Sequence, residues 1–143
     1  MPHLVILYTP QLDAETDMGA LCRSLADTIR SIRDEAGAPA FPTGGIRVLA
    51  YPAAHSAVAD GGAAGRASGG AGDYAFAYFN LRIARGRSEA VRKAAGDALT
   101  QAARAHFAPL LATRPIGLTL QIDEGPEVFD AKFGNLHPLF NRA

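Results

Sequence analysis

Apolar positions follow two rhythms along this chain. The first is a short continuous run, His3-Leu4-Val5-Ile6-Leu7-Tyr8, bulky and β-branched enough to predict a buried strand that ends at Thr9-Pro10. Met18, Leu21, Leu25, Ile29 and Ile32 then recur at steps of three and four, which is one stripe of a helix. Thr16 or Asp17 is placed to cap it, and it is expected to end near Ala36-Gly37. Pro39 and Pro42 interrupt the next stretch, Gly44-Gly45 makes a turn, and Ile46 to Tyr51 reads as a second strand. The stretch 53–72, AAHSAVADGGAAGRASGGAG, has no period and reads as a loop.

After Asp73 the same order returns. Residues 74–83, YAFAYFNLRI, alternate so that Tyr74, Phe76 and Tyr78 share one face and Ala75, Ala77, Phe79 and Leu81 the other. Ser88 is a good N-cap with Glu89 in the first turn. Val91, Ala95, Ala98, Leu99 and Ala102 predict a helix to about Ala108, where Pro109 should interrupt it. IGLTLQI, 116–122, is the fourth strand.

The expectation is one α+β domain over 1–143. Two β-α-β halves, about 3–51 and 74–124, are joined by the loop 53–72 and followed by a tail, 125–143. Crossovers of this kind set parallel strands in one four-stranded sheet with both helices on one face. The strands carry apolar residues on both faces, so the uncovered face needs a partner, and a closed ring of subunits satisfies it without open-ended growth. The tail segment FGNLHPLF is a candidate for packing on a neighbouring subunit.

Composition narrows the function classes. At 143 residues the chain can bury a real core, and 48% apolar residues make it globular. Lys+Arg and Asp+Glu balance at 14 each, which argues against a nucleic-acid partner. Cys22, the one cysteine, rules out an intrachain disulfide and a multi-cysteine metal site. No apolar run approaches a membrane span or a secretory leader, so a cytoplasmic enzyme or binding protein is expected.

Few residues are placed for chemistry. Removal of Met1 would leave Pro2 as a secondary amine fixed at the head of a buried strand. Burial and nearby cations disfavour its protonated form, which would bring it toward neutrality as a general base; proline's ordinary use is to fix φ. Arg47, in GGIRV, and Arg87, in ARGRS, suit carboxylate recognition, with Arg82 and Arg85 close enough to substitute. Taken singly, each arginine is first a solvated surface charge, although a turn at a helix N-terminus favours anions. His3, His55, His106 and His137 have no ligand spacing, and no zinc site is expected. His106 reads as structural and Cys22 as a packed thiol. No serine has a nucleophile-elbow context. GGAAGRASGG lacks both the following helical stripe and the Lys-Ser/Thr pair of a phosphate loop.

MPHLVI, GGIRV, DYAFAYFNLRIARGRS and AHFAPLLATRPIGLTLQIDE resemble the 5-carboxymethyl-2-hydroxymuconate isomerases. These belong to the tautomerase superfamily, with 4-oxalocrotonate tautomerase and macrophage migration inhibitory factor. The likeness spans nearly the whole chain, to FGNLHPLF, and its third stretch is the most specific. It implies a homotrimer of β-α-β-β-α-β subunits and an amino-terminal proline that carries protons on an unsaturated 2-oxo acid. It also implies carboxylate binding by Arg47 and Arg87, a small polycarboxylate substrate from aromatic-acid catabolism, and no metal or cofactor. Another tautomerase of 2-hydroxydienoates or phenylpyruvate, or a non-catalytic small-acid binding module, is the alternative on the same fold. Two features depart from the pattern: the glycine-alanine loop before Asp73 is longer, and Arg85 stands where a small residue is more usual.

Overall fold

The computed structural model describes residues 2–140. Its strands are β1 (His3–Tyr8), β2 (Arg47–Pro52), β3 (Ala75–Ile83) and β4 (Ile116–Glu124). Its helices are α1 (Leu12–Glu15), α2 (Met18–Ser31), α3 (Ala63–Ala67) and α4 (Glu89–Thr113). The four strands form one sheet in the order β2-β1-β3-β4. Each β-α-β crossover sets its two strands parallel, as expected, so β1 runs with β2 and β3 with β4. The halves meet through an antiparallel β1–β3 pair, His3 opposite Arg82 and Tyr8 opposite Ala77.

One face of this sheet is the core. Leu4, Ile6 and Tyr8 of β1 and Ala75, Ala77, Phe79, Leu81 and Ile83 of β3 point into it, the period-2 alternation expected of half-buried strands. Against them α2 lays Met18, Leu21, Leu25 and Ile29, and α4 lays Val91, Ala95, Leu99, Ala103 and Phe107. The α4 residues recur every fourth position, and the two alanines let the helix come close to the strands. Phe107 meets Phe79 edge-on at 6.3 Å between ring centroids. The other face stays open: Leu7, Leu49 and Tyr51 are each about half exposed (48%, 48% and 50%). No helix among the described residues is long and apolar enough to cross a membrane.

The helix ends differ from those the sequence predicts. Asp17 does cap α2, accepting from the Ala20 N–H at 2.9 Å. But α2 stops at Ser31 rather than near Gly37, because Asp34 takes the Ala36 and Ala38 amides and folds 34–38 into a turn. Ser88 caps α4 through the Val91 N–H. That helix continues through Pro109 to Thr113. Proline costs it the bond to the Ala105 carbonyl, and both residues lie on the exposed side, where water can take that oxygen. The one-turn helices α1 and α3 have no periodic signal in the sequence, and α3 lies inside the segment expected to be loop.

Candidate active site

β1 defines two ends of the sheet, and the expected site residues gather at its start. Pro2 is buried, and its carbonyl accepts the Arg47 N–H at 3.1 Å, which extends the β1–β2 ladder by one rung. Arg47 lies opposite His3 on β2, and Arg82 opposite His3 on β3. Arg85 and Arg87 follow in the turn after β3, whose last residues run past the same end.

The two guanidiniums expected to bind carboxylate are each held by carbonyl oxygens. Arg47 Nη1 donates to Gly44 O at 2.8 Å and Ile46 O at 2.9 Å. Arg87 Nε donates to Ala40 O at 3.0 Å and Nη1 to Ala84 O at 3.3 Å, with its guanidinium 4.3 Å above the Phe41 ring. Among the described residues neither has a carboxylate partner. Neutral oxygens fix each group while leaving its full charge and its remaining N–H donors for an anion. Burial lowers the pKa of Arg87, yet a guanidinium stays cationic at neutral pH.

The structure does not bring every candidate together. Arg47 borders an open cavity of about 990 Å³ with His3, Leu49 and the tail residues Asp130 and Lys132. Arg87 borders a separate, smaller opening with Glu35, Ala40 and Ser88. Arg82 is exposed and faces Glu127 at 3.6 Å, and Arg85 is exposed in its turn. His3 is held below the ordinary histidine pKa, by burial first and then by surrounding positive charge that includes Arg47 and Lys132. Its imidazole is therefore neutral at pH 7.

Of the residues not expected to act, His137 borders the same cavity as Arg47, while Cys22 and His106 have structural settings. Cys22 is half-buried on α2, and burial raises its thiol pKa. His106 lies 2.8 Å from the Thr16 hydroxyl and packs edge-on against Phe107. No group of histidine, cysteine and acidic side chains among the described residues is arranged to hold a metal.

Two contributors carry little signal in the sequence. Phe41 supplies a buried aromatic floor under Arg87, with only its place between two prolines to mark it. The tail supplies the second. Its sequence makes 133–140 a candidate for packing on a neighbour, and within the subunit Leu136–Phe140 rests on the turn before β2. A Cβ on Gly44 would stand 2.9 Å from His137 Nδ1 and 3.1 Å from the Phe140 ring, so that turn is glycine because the tail lies on it. Val128, Phe129 and Phe133 remain outside, fully or almost fully exposed.

Comparison with known proteins gives one consistent answer. The family model described as 5-carboxymethyl-2-hydroxymuconate isomerase matches residues 2–140. A 5-carboxymethyl-2-hydroxymuconate Delta-isomerase from Escherichia coli is 29% identical over 140 residues, 98% of this chain and 99% of that one. The crystal structure of a 5-carboxymethyl-2-hydroxymuconate delta-isomerase is 64% identical, with a TM-score of 0.96 over 100% of this chain and 95% of that one. A 5-carboxymethyl-2-hydroxymuconate isomerase from Deinococcus radiodurans R1 is 33% identical, with a TM-score of 0.80 over 99% of this chain and 95% of that one. A fused 4-OT asymmetric trimer, 17% identical with a TM-score of 0.58, shares the fold over 98% and 99% of the two chains.

Proposed function

The chain belongs to the 5-carboxymethyl-2-hydroxymuconate isomerase family and is an enzyme of the tautomerase superfamily, and from that premise we propose that it isomerises 5-carboxymethyl-2-hydroxymuconate through Pro2. The neutral amine of Pro2, freed by removal of Met1, takes the proton of the 2-hydroxyl group and leaves a dienolate. The protonated amine then returns a proton at C5. The double bonds shift, the conjugated 2-oxo acid forms, and the proline is neutral again. Arg47 and Arg87 hold substrate carboxylates and stabilise the charge that develops on oxygen. General base catalysis supplies about 10²–10⁴-fold of the rate, and positioning with electrostatics supplies the rest.

One observation carries this reading. A buried proline heads the strand, its carbonyl bonded to the Arg47 amide, at the same sheet end as two guanidiniums that have no acid partner among the described residues. Such surroundings lower an amine pKa and draw an anion to it at once. The open sheet face, with Leu7, Leu49 and Tyr51 half exposed, supports assembly as a homotrimer through the sheets. That assembly would also let Arg47 and Arg87 of different subunits meet around one substrate.

The test pairs mass spectrometry of the first residue with an ultraviolet assay of the dienol. Pro2→Ala keeps a primary amine and retains partial activity, down about 10²-fold or more. A preparation that retains Met1 carries an amide nitrogen with no basic lone pair and should be inactive. Full activity with Met1 retained overturns the mechanism. Turnover of 2-hydroxymuconate in preference to the carboxymethyl compound would move the assignment to a tautomerase of smaller dienols.

A further inference from the structure

The C-terminal tail straps across the end of the sheet where Pro2 lies. Its first anchor is beside β4, where the Gly125 N–H donates to Ile83 O at 2.9 Å and the Glu127 carboxylate faces Arg82. Its second anchor is beside β2, where Leu136–Phe140 rests on the turn at Gly44. Ile83 and Arg82, which hold the first anchor, lie on β3, and the sheet order β2-β1-β3-β4 sets β1 between them and the β2 edge, two strand spacings or about 10 Å away. The residues between the two anchors therefore pass the heads of β1 and β2, and Asp130 and Lys132 border the cavity that His3 and Arg47 border from the sheet.

We propose that Lys132 is a specificity-determining residue that binds the third carboxylate of a tricarboxylate dienol. The inference rests on the Pro2 end being the active site. Two guanidiniums without acid partners match two carboxylates, and a muconate bearing a carboxymethyl group has one more. Lys132 is the next cation on the cavity that Arg47 borders. Its ammonium is paired with Asp130, but the two side chains are 44% and 47% exposed, and an ion pair so open has little net worth. Asp130 can take one of the three ammonium donors and leave the others to an arriving carboxylate. With His3 neutral, the arginine, lysine and carboxylate on the cavity, Arg47, Lys132 and Asp130, sum to one positive charge, and His137 borders it as well. Loss of Lys132 removes that charge.

Steady-state kinetics of Lys132→Met, Lys132→Arg and Asp130→Asn on 5-carboxymethyl-2-hydroxymuconate and on 2-hydroxymuconate test this. Lys132→Met should raise the ratio of the tricarboxylate KM to the dicarboxylate KM about tenfold, the loss of one charge-assisted contact, with kcat on each substrate little changed. Lys132→Arg should restore the ratio, and Asp130→Asn should leave it where it was. An unchanged ratio in Lys132→Met overturns the proposal. So does an equal rise for both substrates in Asp130→Asn and Lys132→Met, which would make the pair only a clip for the strap. If Pro2→Ala loses activity as expected while the ratio stays flat, this inference alone fails. If Pro2→Ala keeps full activity, the reading beneath it fails as well.

Discussion

The two ends of β1 hold their anchored arginines in different ways. At the Pro2 end, Arg47 and Arg87 are tethered by carbonyl oxygens and keep their charge. At the Tyr8 end, Arg114 is clamped by carboxylates. Its Nη1 donates to both Glu15 oxygens, at 2.6 and 2.5 Å, and its Nη2 lies 3.3 Å from Asp73, with only 12% of the side chain exposed. That clamp joins α1, the end of α4 and the entry to β3. The long insert belongs to this end too. Ala53 N donates to Tyr8 O at 2.7 Å, and Gln11 reaches both Asp73 and Tyr74 O. In its own subunit the insert therefore lies a full strand away from Pro2 and does not shape that mouth. At the Tyr8 end carboxylates meet the buried cation and tie three elements together, whereas at the Pro2 end Arg47 and Arg87 stand without acid partners among the described residues, beside Arg82 and Arg92, which have them.

Exchanging the roles would break this comparison, and the largest effect is expected from Arg47→Ala. It should cost about 10²–10³-fold in kcat/KM on the dienol while the melting temperature stays near that of the wild type. Arg114→Met should do the reverse. Leaving Glu15 and Asp73 without their partner in a partly buried cluster costs about 2 kcal/mol, discounted from the fully buried case because both acids reach solvent. For a chain this size that is a fall of about 5–8 °C, with kcat/KM per folded molecule retained. A large activity loss without destabilisation in Arg114→Met would erase the distinction between the ends.

How much of this is legible in the sequence depends on whether the signal is local. The strands, both caps and the two buried stripes are readable because period and cap chemistry are properties of a few adjacent residues. The end of α2 is not, because Asp34 competes for backbone amides beyond the reach of a periodicity argument. Pro109 misleads for a related reason: a helix near its exposed end loses little by one missing bond. Pro2, Arg47 and Arg87 stand out by motif likeness, and their joint position at one sheet end needs the β1–β2 and β1–β3 registers. Lys132 has no signal of its own, since the strap that carries it is irregular. The long insert is visible as an anomaly but cannot be located, because nothing in its own residues says which end of the sheet its ends are tied to.

A smaller effect would sharpen the comparison inside the insert. Before α3, whose N-cap is Gly62, Asp60 accepts from the Gly62 and Ala64 amides at 3.0 and 2.9 Å, and the Tyr74 hydroxyl accepts from Gly65 N–H at 2.9 Å. Gly62 has φ +98°, and a Cβ there would stand 1.9 Å from Gly72 O. Gly62→Ala must therefore open the loop, at a cost of about 1 kcal/mol, since a surface loop can yield locally before the strain reaches its full value. Hydrogen exchange at Gly65 should quicken and the melting temperature fall by less than in Arg114→Met. Because the insert lies at the Tyr8 end, kcat/KM should not move. A drop in turnover would mean that the insert reaches a site after all, on a neighbouring subunit.

The smallest effect separates the ends by pH. His106, beside Thr16 near the Tyr8 end, has its pKa lowered, by burial first, with Asp17 acting weakly in the other direction. A histidine depressed in the folded state contributes stability that is present above its unfolded value, near 6.5, and is lost as pH falls through the window below it. The unfolded chain binds the proton first, so acidification from about pH 7.5 to about 5.5 should lower the melting temperature slightly. His106→Gln, which has no titrating ring, should make that slope shallower, with the part owed to the likewise depressed His3 remaining, and should not shift the pH dependence of kcat/KM, which the proposed mechanism assigns to the Pro2 amine. If instead the substitution moves the rate profile and leaves the stability profile as it was, the two ends are electrostatically coupled and their division of labour fails.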